Sequence, residues 1–333
     1  MSRYDLYGLG NALVDMEFSV DDSFLGDHGI IKGHMTLVDA PRIEALLDSL
    51  GELSPKRASG GSAANTLIAA QAFGSSTFYS CKVGDDEIGR YFVDDLAEIG
   101  VDTNTQQANS SDPSGRCLVL ITPDAERSLN TFLGISEQLA PAEIDPDALR
   151  NSRCLYIEGY LSSSATGRAA AVHCRELAES EQVRTSLTLS DPSMVEVFRE
   201  GLIEMLGNGV DHLFCNEEEA LAWAGTDRMD IAIKELKDVA QALNITLGAR
   251  GSFAVERGST REVPGFKTKA VDTNGAGDIY AGAVLHGWCT GMESATAASF
   301  GNFAAAHLVA QYGARLSSPD DYQALLTGFG GPQ

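Results

Sequence analysis

Histidine is sparse in this chain, cysteine is scattered, and acidic residues outnumber basic ones. The six histidines show no HxxH or HExxH spacing, so none is assigned to metal binding or catalysis. The six cysteines (Cys81, Cys117, Cys154, Cys174, Cys215, Cys289) include no CxxC pair. That argues against a zinc site and a disulfide framework, and predicts a reduced, cytoplasmic protein whose cysteines are small core fillers. No apolar run approaches the roughly 20 residues of a membrane span, and Met1-Ser2-Arg3-Tyr4-Asp5 lacks the apolar centre of a signal peptide. With 24 basic against 47 acidic residues, the net charge is −23. Such a field argues against nucleic acid and anionic membranes as partners. A polyanionic substrate would therefore have to be neutralised locally, by a metal ion or a nest of backbone amides.

What the 333 residues do contain is a run of short apolar segments alternating with helical ones. Strands are predicted over 4–8, 12–20, 32–38, 77–83, 154–157, 185–189, 212–215 and 244–247. Helices are predicted over 41–50, 62–73, 87–99, 279–288, 295–310 and 319–326, with a turn at Gly26 and Gly29 and a loop over 51–56. Segments 116–122 and 127–132 form a predicted hairpin across Pro123-Asp124-Ala125-Glu126, and 253–257 with 262–264 a small antiparallel edge. Buried strands alternating with helices imply a three-layer α/β/α sandwich with a mostly parallel central sheet. Segments 11–39 and 115–134 do not alternate in this way and are read as a small β-sheet lid. With no repeat and no linker, 1–333 reads as a single domain.

The densest chemical signal is Asp272-Thr273-Asn274-Gly275-Ala276-Gly277-Asp278, followed directly by an amphipathic helix. Small residues let successive amides of Gly275, Ala276 and Gly277 point into one concavity, and the helix dipole adds positive potential there. A carboxylate at the mouth of an anion site is unexpected unless Asp278 is a general base beside a transferring phosphoryl group. A plain helix cap by Asp278 is the structural alternative. Gly60-Gly61, with Ser62 and Asn65, opens the helix over 62–73 and allows a ligand hydroxyl close to the backbone; a tight strand-to-helix turn is the simpler reading. Asp15, between Val14 and Met16, has few structural reasons to end an apolar strand, and with Asn11 nearby it could accept two vicinal hydroxyls of a ribose.

Asn216-Glu217-Glu218-Glu219 matches a capping box, and equally a pair of oxygen donors, Asn216 and Glu219, around magnesium and its waters. Thr246, Gly248 and Gly251 lie at the end of a predicted strand, where α/β sheets collect ligands, although a β-turn explains them nearly as well. Asn302 is a candidate for an adenine pocket, and Lys82 and Arg127 are candidate phosphate neutralisers. Gly8-Leu9-Gly10-Asn11 lacks the third glycine of a dinucleotide fingerprint and leads into a strand, which disfavours an oxidoreductase.

Taken together these segments resemble the ribokinase-like family, also called the phosphofructokinase-B carbohydrate and nucleoside kinases, over essentially the whole chain. The C-terminal signature Asp-Thr-x-Gly-Ala-Gly-Asp is met at 272–278, and the N-terminal one by Gly60 to Asn65 and Gly84-Asp85-Asp86-Glu87-Ile88-Gly89. The resemblance implies ATP-dependent transfer to a primary alcohol, with Asp278 as base and the Gly275, Ala276 and Gly277 amides as anion hole. It further implies magnesium reached from Glu219 through water, ATP contacts from Asn216, Thr246, Gly248, Gly251 and Asn302, and a monovalent cation, K+, at Asp272. Within the family, Gly10 to Asp15, Ser62 after the glycine pair, and the stretch Glu126 to Gly134 look like the adenosine kinases, with Arg127 and Phe132 near the substrate. Asn274 stands where Thr is frequent, and Ala63-Ala64-Asn65 replaces the Thr-Gln-Asn of animal adenosine kinases. The expected reaction is phosphorylation of the adenosine ribose 5′-hydroxyl, by a monomer or by a homodimer paired through the lid; a sugar kinase or an inosine/guanosine kinase is the alternative.

Overall fold

The structure, a computed structural model, describes residues 3–105, 112–124 and 126–330. Fourteen strands are described, in chain order β1 Tyr4–Leu9, β2 Leu13–Ser19, β3 Met35–Leu37, β4 Lys56–Gly60, β5 Thr77–Ser80, β6 Asp102–Thr103 and β7 Gly115–Ile121. They continue as β8 Arg127–Phe132, β9 Ser152–Glu158, β10 Arg184–Thr188, β11 Val210–Asn216, β12 Ala240–Thr246, β13 Gly251–Glu256 and β14 Ser259–Pro264. Nine form one sheet in the order β14-β13-β12-β11-β10-β9-β1-β5-β6, parallel except where β13 pairs with β12 and β14.

Side-chain alternation explains why this sheet sits between two helical layers. On β9, Leu155 and Ile157 join one apolar cluster while Cys154 and Tyr156 join another. All four are buried, as a parallel sheet covered on both faces requires. The first cluster includes Ala170 and Cys174 of the helix Ala165–Ser180; the second includes Leu67 of Ser62–Ala72 and Val284 of Ala276–Thr290. These last two helices pack closely because they carry small residues. A Cβ at Gly282 would lie 2.6 Å from the Thr66 carbonyl oxygen.

The second sheet runs β3-β8-β7-β2-β4. The predicted hairpin is β7 and β8, antiparallel, although Ala125 at its turn lies outside the described residues. Three local expectations are corrected. The stretch 56–60, expected as loop and lead-in, is strand β4, because Ala58 pairs with Asp15 of β2 and closes that edge of the sheet. The strand over 32–38 shortens to Met35–Leu37. Gly26 lies inside a helix, Asp22–Asp27, because Leu25 is buried with Ile43, Leu46 and Leu50 and draws the chain into a turn; Gly29, with φ 61°, comes just after it.

No helix among the described residues is long and apolar enough to cross a membrane. The six cysteines are free, five of them buried.

Candidate active site

The carboxyl ends of β1, β9, β11 and β12 and the inner face of the small sheet enclose a cavity of about 420 Å³. This is where open α/β sheets bind ligands. Asn11, Asp15, Gly61, Ser62, Asn65, Asn216, Glu219, Thr246, Gly275, Ala276, Gly277 and Asp278 all line it. Residues predicted from segments more than 200 positions apart are therefore brought to one place.

Two helix N-termini meet at Asp278. The Ser62 hydroxyl donates to its Oδ1 at 2.7 Å and the Asn65 Nδ2 to its Oδ2 at 3.2 Å. Asp278 is the third residue of the helix Ala276–Thr290, which leaves Gly275 as its N-cap at φ 73°. Gly275 is required twice over, since a Cβ there would also lie 2.2 Å from the Ala314 carbonyl oxygen. The Ala276 amide is spent on the Thr273 carbonyl at 3.2 Å, whereas the Gly275 and Gly277 amides have no partner among the described residues. Removal from water raises the Asp278 carboxyl to about 6, against the opposing pull of the Ser62 and Asn65 hydrogen bonds.

Asp15 faces the same cavity from β2 and accepts no hydrogen bond from the described residues. Its oxygens fit only because Gly60 has no side chain: a Cβ there would lie 2.6 Å from Oδ2. Burial, opposed mainly by Arg315, raises Asp15 to about 7. The buried Asn65 Oδ1 is likewise without a partner. Gly61, at φ 100°, would carry a Cβ 2.3 Å from the Asn11 carbonyl oxygen. Asn11 itself turns inward: Nδ2 donates to Glu158 at 2.8 Å, and Oδ1 accepts from Ser136 at 3.2 Å.

Asn216 and Glu219 form the predicted capping box. Glu219 accepts from the Asn216 amide at 3.1 Å and from Nδ2 at 2.6 Å, and donates its own amide to Asn216 Oδ1 at 2.8 Å. With both carboxylate oxygens engaged, Glu219 suits a magnesium ion held chiefly by phosphate and reached through water. Burial raises its carboxyl to about 7.

Other predicted residues lie elsewhere. Leu129, Thr131 and Leu133 line the cavity, so the alternation of β8 turns Phe132 away, onto the apolar cluster behind the sheet. Arg127 is 8% exposed and tied to Glu17 at 2.7 Å and Asp272 at 3.2 Å. Asp272, whose oxygens also take the Asn274 and Gly313 amides, does not fit a monovalent cation. Lys82 pairs with Glu143 at 2.8 Å. Asn302 donates to the Val263 and Pro264 carbonyls, tying its helix to β14. Gly248 begins a short turn, and Gly251 is needed for packing, since a Cβ would lie 2.1 Å from the Val263 carbonyl oxygen.

Of the acids that line the cavity, one was not predicted. Glu158, at the end of β9, is 1% exposed and accepts from the Asn11 amide at 2.7 Å, from Asn11 Nδ2 at 2.8 Å and from the Ala63 amide at 2.9 Å. Burial raises it to about 7 despite these bonds. An acid closing an apolar strand is the signal that singled out Asp15, and it was equally present here.

The four raised carboxyls make a pH prediction. Asp15, Glu158 and Glu219 stand at about 7 and Asp278 at about 6, all above the ordinary range near 4 of the unfolded chain. Between those limits the folded state holds more protons than the unfolded one, so their contribution to stability falls as pH rises through 7. Scanning calorimetry of the ligand-free protein is expected to give a higher melting temperature at pH 5.5 than at pH 8. A melting temperature that climbs steadily over that interval would contradict the burial of these groups.

Comparison with known proteins identifies the family. Residues 49–321 match the description "pfkB family carbohydrate kinase". Among solved structures, a probable sugar kinase protein from Rhizobium etli shares 31% identity at a TM-score of 0.89, over 99% of this chain and 100% of that one. The adenosine kinase from Sinorhizobium meliloti shares 34% identity at a TM-score of 0.87, over 98% of each chain. The adenosine kinase of Saccharomyces cerevisiae is 28% identical over 326 residues, 92% of this chain and 94% of the yeast protein. The fold is thus ribokinase-like, and ATP as phosphoryl donor, generally with magnesium, is implied by the family. Matched over most of its length in sequence and nearly all of it in structure, this chain belongs to the pfkB family of carbohydrate kinases.

Proposed function

We propose that the chain phosphorylates the ribose 5′-hydroxyl of a nucleoside, with adenosine the favoured acceptor and AMP and ADP the products. One observation carries this reading: Asp278, held by Ser62 and Asn65, stands at the head of a helix beside the unpaired Gly275 and Gly277 amides. The acceptor hydroxyl gives its proton to Asp278 as its oxygen attacks the γ-phosphorus of ATP. The bond to the β,γ-bridging oxygen breaks and ADP leaves. The unpaired Gly275 and Gly277 amides stabilise charge on the transferring oxygens, while the Ala276 amide between them holds the turn through the Thr273 carbonyl. A carboxyl raised to about 6 is still mainly ionised at neutral pH yet binds a proton more readily than an ordinary aspartate.

Asp15 accepts from the two vicinal ribose hydroxyls, and Asn65 Oδ1 offers a further acceptor. ATP lies toward Asn216, Glu219 and Thr246. Magnesium bound with the nucleotide would neutralise phosphate charge, with Glu219 and Asn216 placed to hold its waters. The whole chain, 1–333, works as one catalytic unit. The small sheet over 11–39 and 115–134 acts as a lid that excludes water as a competing acceptor. The enzyme acts in the cytoplasm, as a monomer or as a homodimer paired through the lid, on small molecules alone.

Two features favour adenosine over a simple sugar. Two of the relatives above are named adenosine kinases. The acceptor side is walled by Leu13, Leu37, Leu129 and Leu133, an apolar surface that a purine would cover and a free pentose would leave wet. The Rhizobium etli neighbour supports the sugar reading. Coupled measurement of ATP consumption with adenosine, inosine, guanosine, ribose and fructose decides between them. Adenosine is expected to give a kcat/KM at least about tenfold above each of the others. Equal or faster turnover of ribose or fructose would move the assignment to a sugar kinase.

A further inference from the structure

The structure disagrees with the cation implied at Asp272, a disagreement whose meaning for catalysis rests on the kinase reading. Asp272 Oδ1 accepts the Asn274 amide at 3.0 Å, and Oδ2 accepts the Gly313 amide at 2.8 Å. The remaining approach to Oδ2 is taken by Arg127 Nη1 at 3.2 Å, with both side chains 8% exposed. Arg127 Nη2 donates to Glu17 Oε1 at 2.7 Å. A single guanidinium on β8 therefore bridges β2 of the small sheet to the loop that leads into the amide nest.

A potassium ion beside Asp272 would sit a few ångströms from a fixed positive charge with little water to screen them. Arginine suits the position because its charge does not titrate and its planar fork can meet two carboxylates at once. We propose that Arg127 is a built-in substitute for the monovalent cation: it neutralises Asp272, couples the small sheet to the loop 272–278, and frees the enzyme from potassium. Arg127 is a positioning residue, acting through Asp272 on the geometry of the Gly275 and Gly277 amides. Loop order then depends on the small sheet being in place, so the anion site is complete only when the sheet is docked.

The test has two arms. Turnover of the wild-type protein with ATP and its acceptor is measured in potassium, sodium and tetramethylammonium salts at equal ionic strength, and the three rates are expected to agree. Arg127→Gln is expected to lower kcat by about tenfold or more. Potassium should restore part of that loss and tetramethylammonium none, a pattern that general destabilisation does not produce; Arg127→Lys should retain most of the rate in any salt. The second arm soaks crystals in thallium(I) as a potassium stand-in. No thallium is expected beside Asp272 in the wild type, and a bound ion is expected in Arg127→Gln. Potassium stimulation of the wild type, thallium beside its Asp272, or a loss in Arg127→Gln that no cation restores overturns the proposal. If Arg127→Gln does not fold, the wild-type salt series, the wild-type soak and Arg127→Lys still decide it. If no acceptor is phosphorylated at all, the kinase reading fails, and the thallium arm still reports on Asp272 separately.

Discussion

Replacing Asp278 with Asn is expected to lower kcat by about two orders of magnitude or more, with the acceptor KM nearly unchanged. Asn keeps the size of the side chain and can still accept from Ser62 or Asn65, now 2.7 and 3.2 Å from the carboxylate oxygens, so the cavity should keep its shape. What disappears is the site for the proton. An amide cannot take it at any accessible pH, and the attacking oxygen must then lose it to water or to the phosphoryl group itself. The same substitution should flatten the acid limb of the kcat/KM profile, which in the wild type is expected to rise through a pH of about 6 as Asp278 ionises. Stopped-flow turnover with a calorimetric check of acceptor binding separates chemistry from affinity. A variant that keeps more than about a tenth of wild-type kcat would remove Asp278 from the role of base.

Removal of Glu158 should act on stability as strongly as the Asp278 change acts on rate. Its carboxylate accepts three hydrogen bonds, from the Asn11 amide, Asn11 Nδ2 and the Ala63 amide, and no nearby group needs a proton from it. Glu158→Ala leaves those donors unpaired at about 1–3 kcal/mol each. Glu158 also lines the cavity, so water can replace part of what is lost. The net cost expected from urea denaturation is about 3 kcal/mol. Glu158→Gln should be little better, because its NH2 would face the Ala63 N–H that Oε2 now accepts at 2.9 Å. A loss under about 1 kcal/mol for Glu158→Ala would show that this network does not hold β1 to the helix Ser62–Ala72.

Both effects concern residues whose chemistry a sequence can display and whose partners it cannot. Asp278 was legible because the glycine loop, the helix start and the acid fall within seven consecutive residues. The helix Glu87–Ile99 matches its prediction at both ends because Asp86 caps it, accepting the Gly89 amide, and Gly100 ends it in the left-handed region. The capping box at Asn216 was legible for the same local reason. Phe132 was misread because strand alternation allows no partial error: one position along β8 is the difference between the cavity and the core behind it. Arg127 looked like a free cation near phosphate until Glu17 and Asp272, 110 positions before it and 145 after it, closed on its guanidinium.

Local pattern alone determined the layered α/β class, most of the strands and helices, the glycine loop and the acid within it, because these depend on side-chain periodicity and on backbone freedom over a few residues. Tertiary structure alone decided that Glu158 meets Asn11 across 147 positions, that Asp15 is left without a partner, and that an arginine fills the place beside Asp272. The physical reason is range. Hydrogen bonds, ion pairs and desolvation are set by neighbours in space, and in a parallel sheet those neighbours come from strand ends that the chain reaches only after long crossovers.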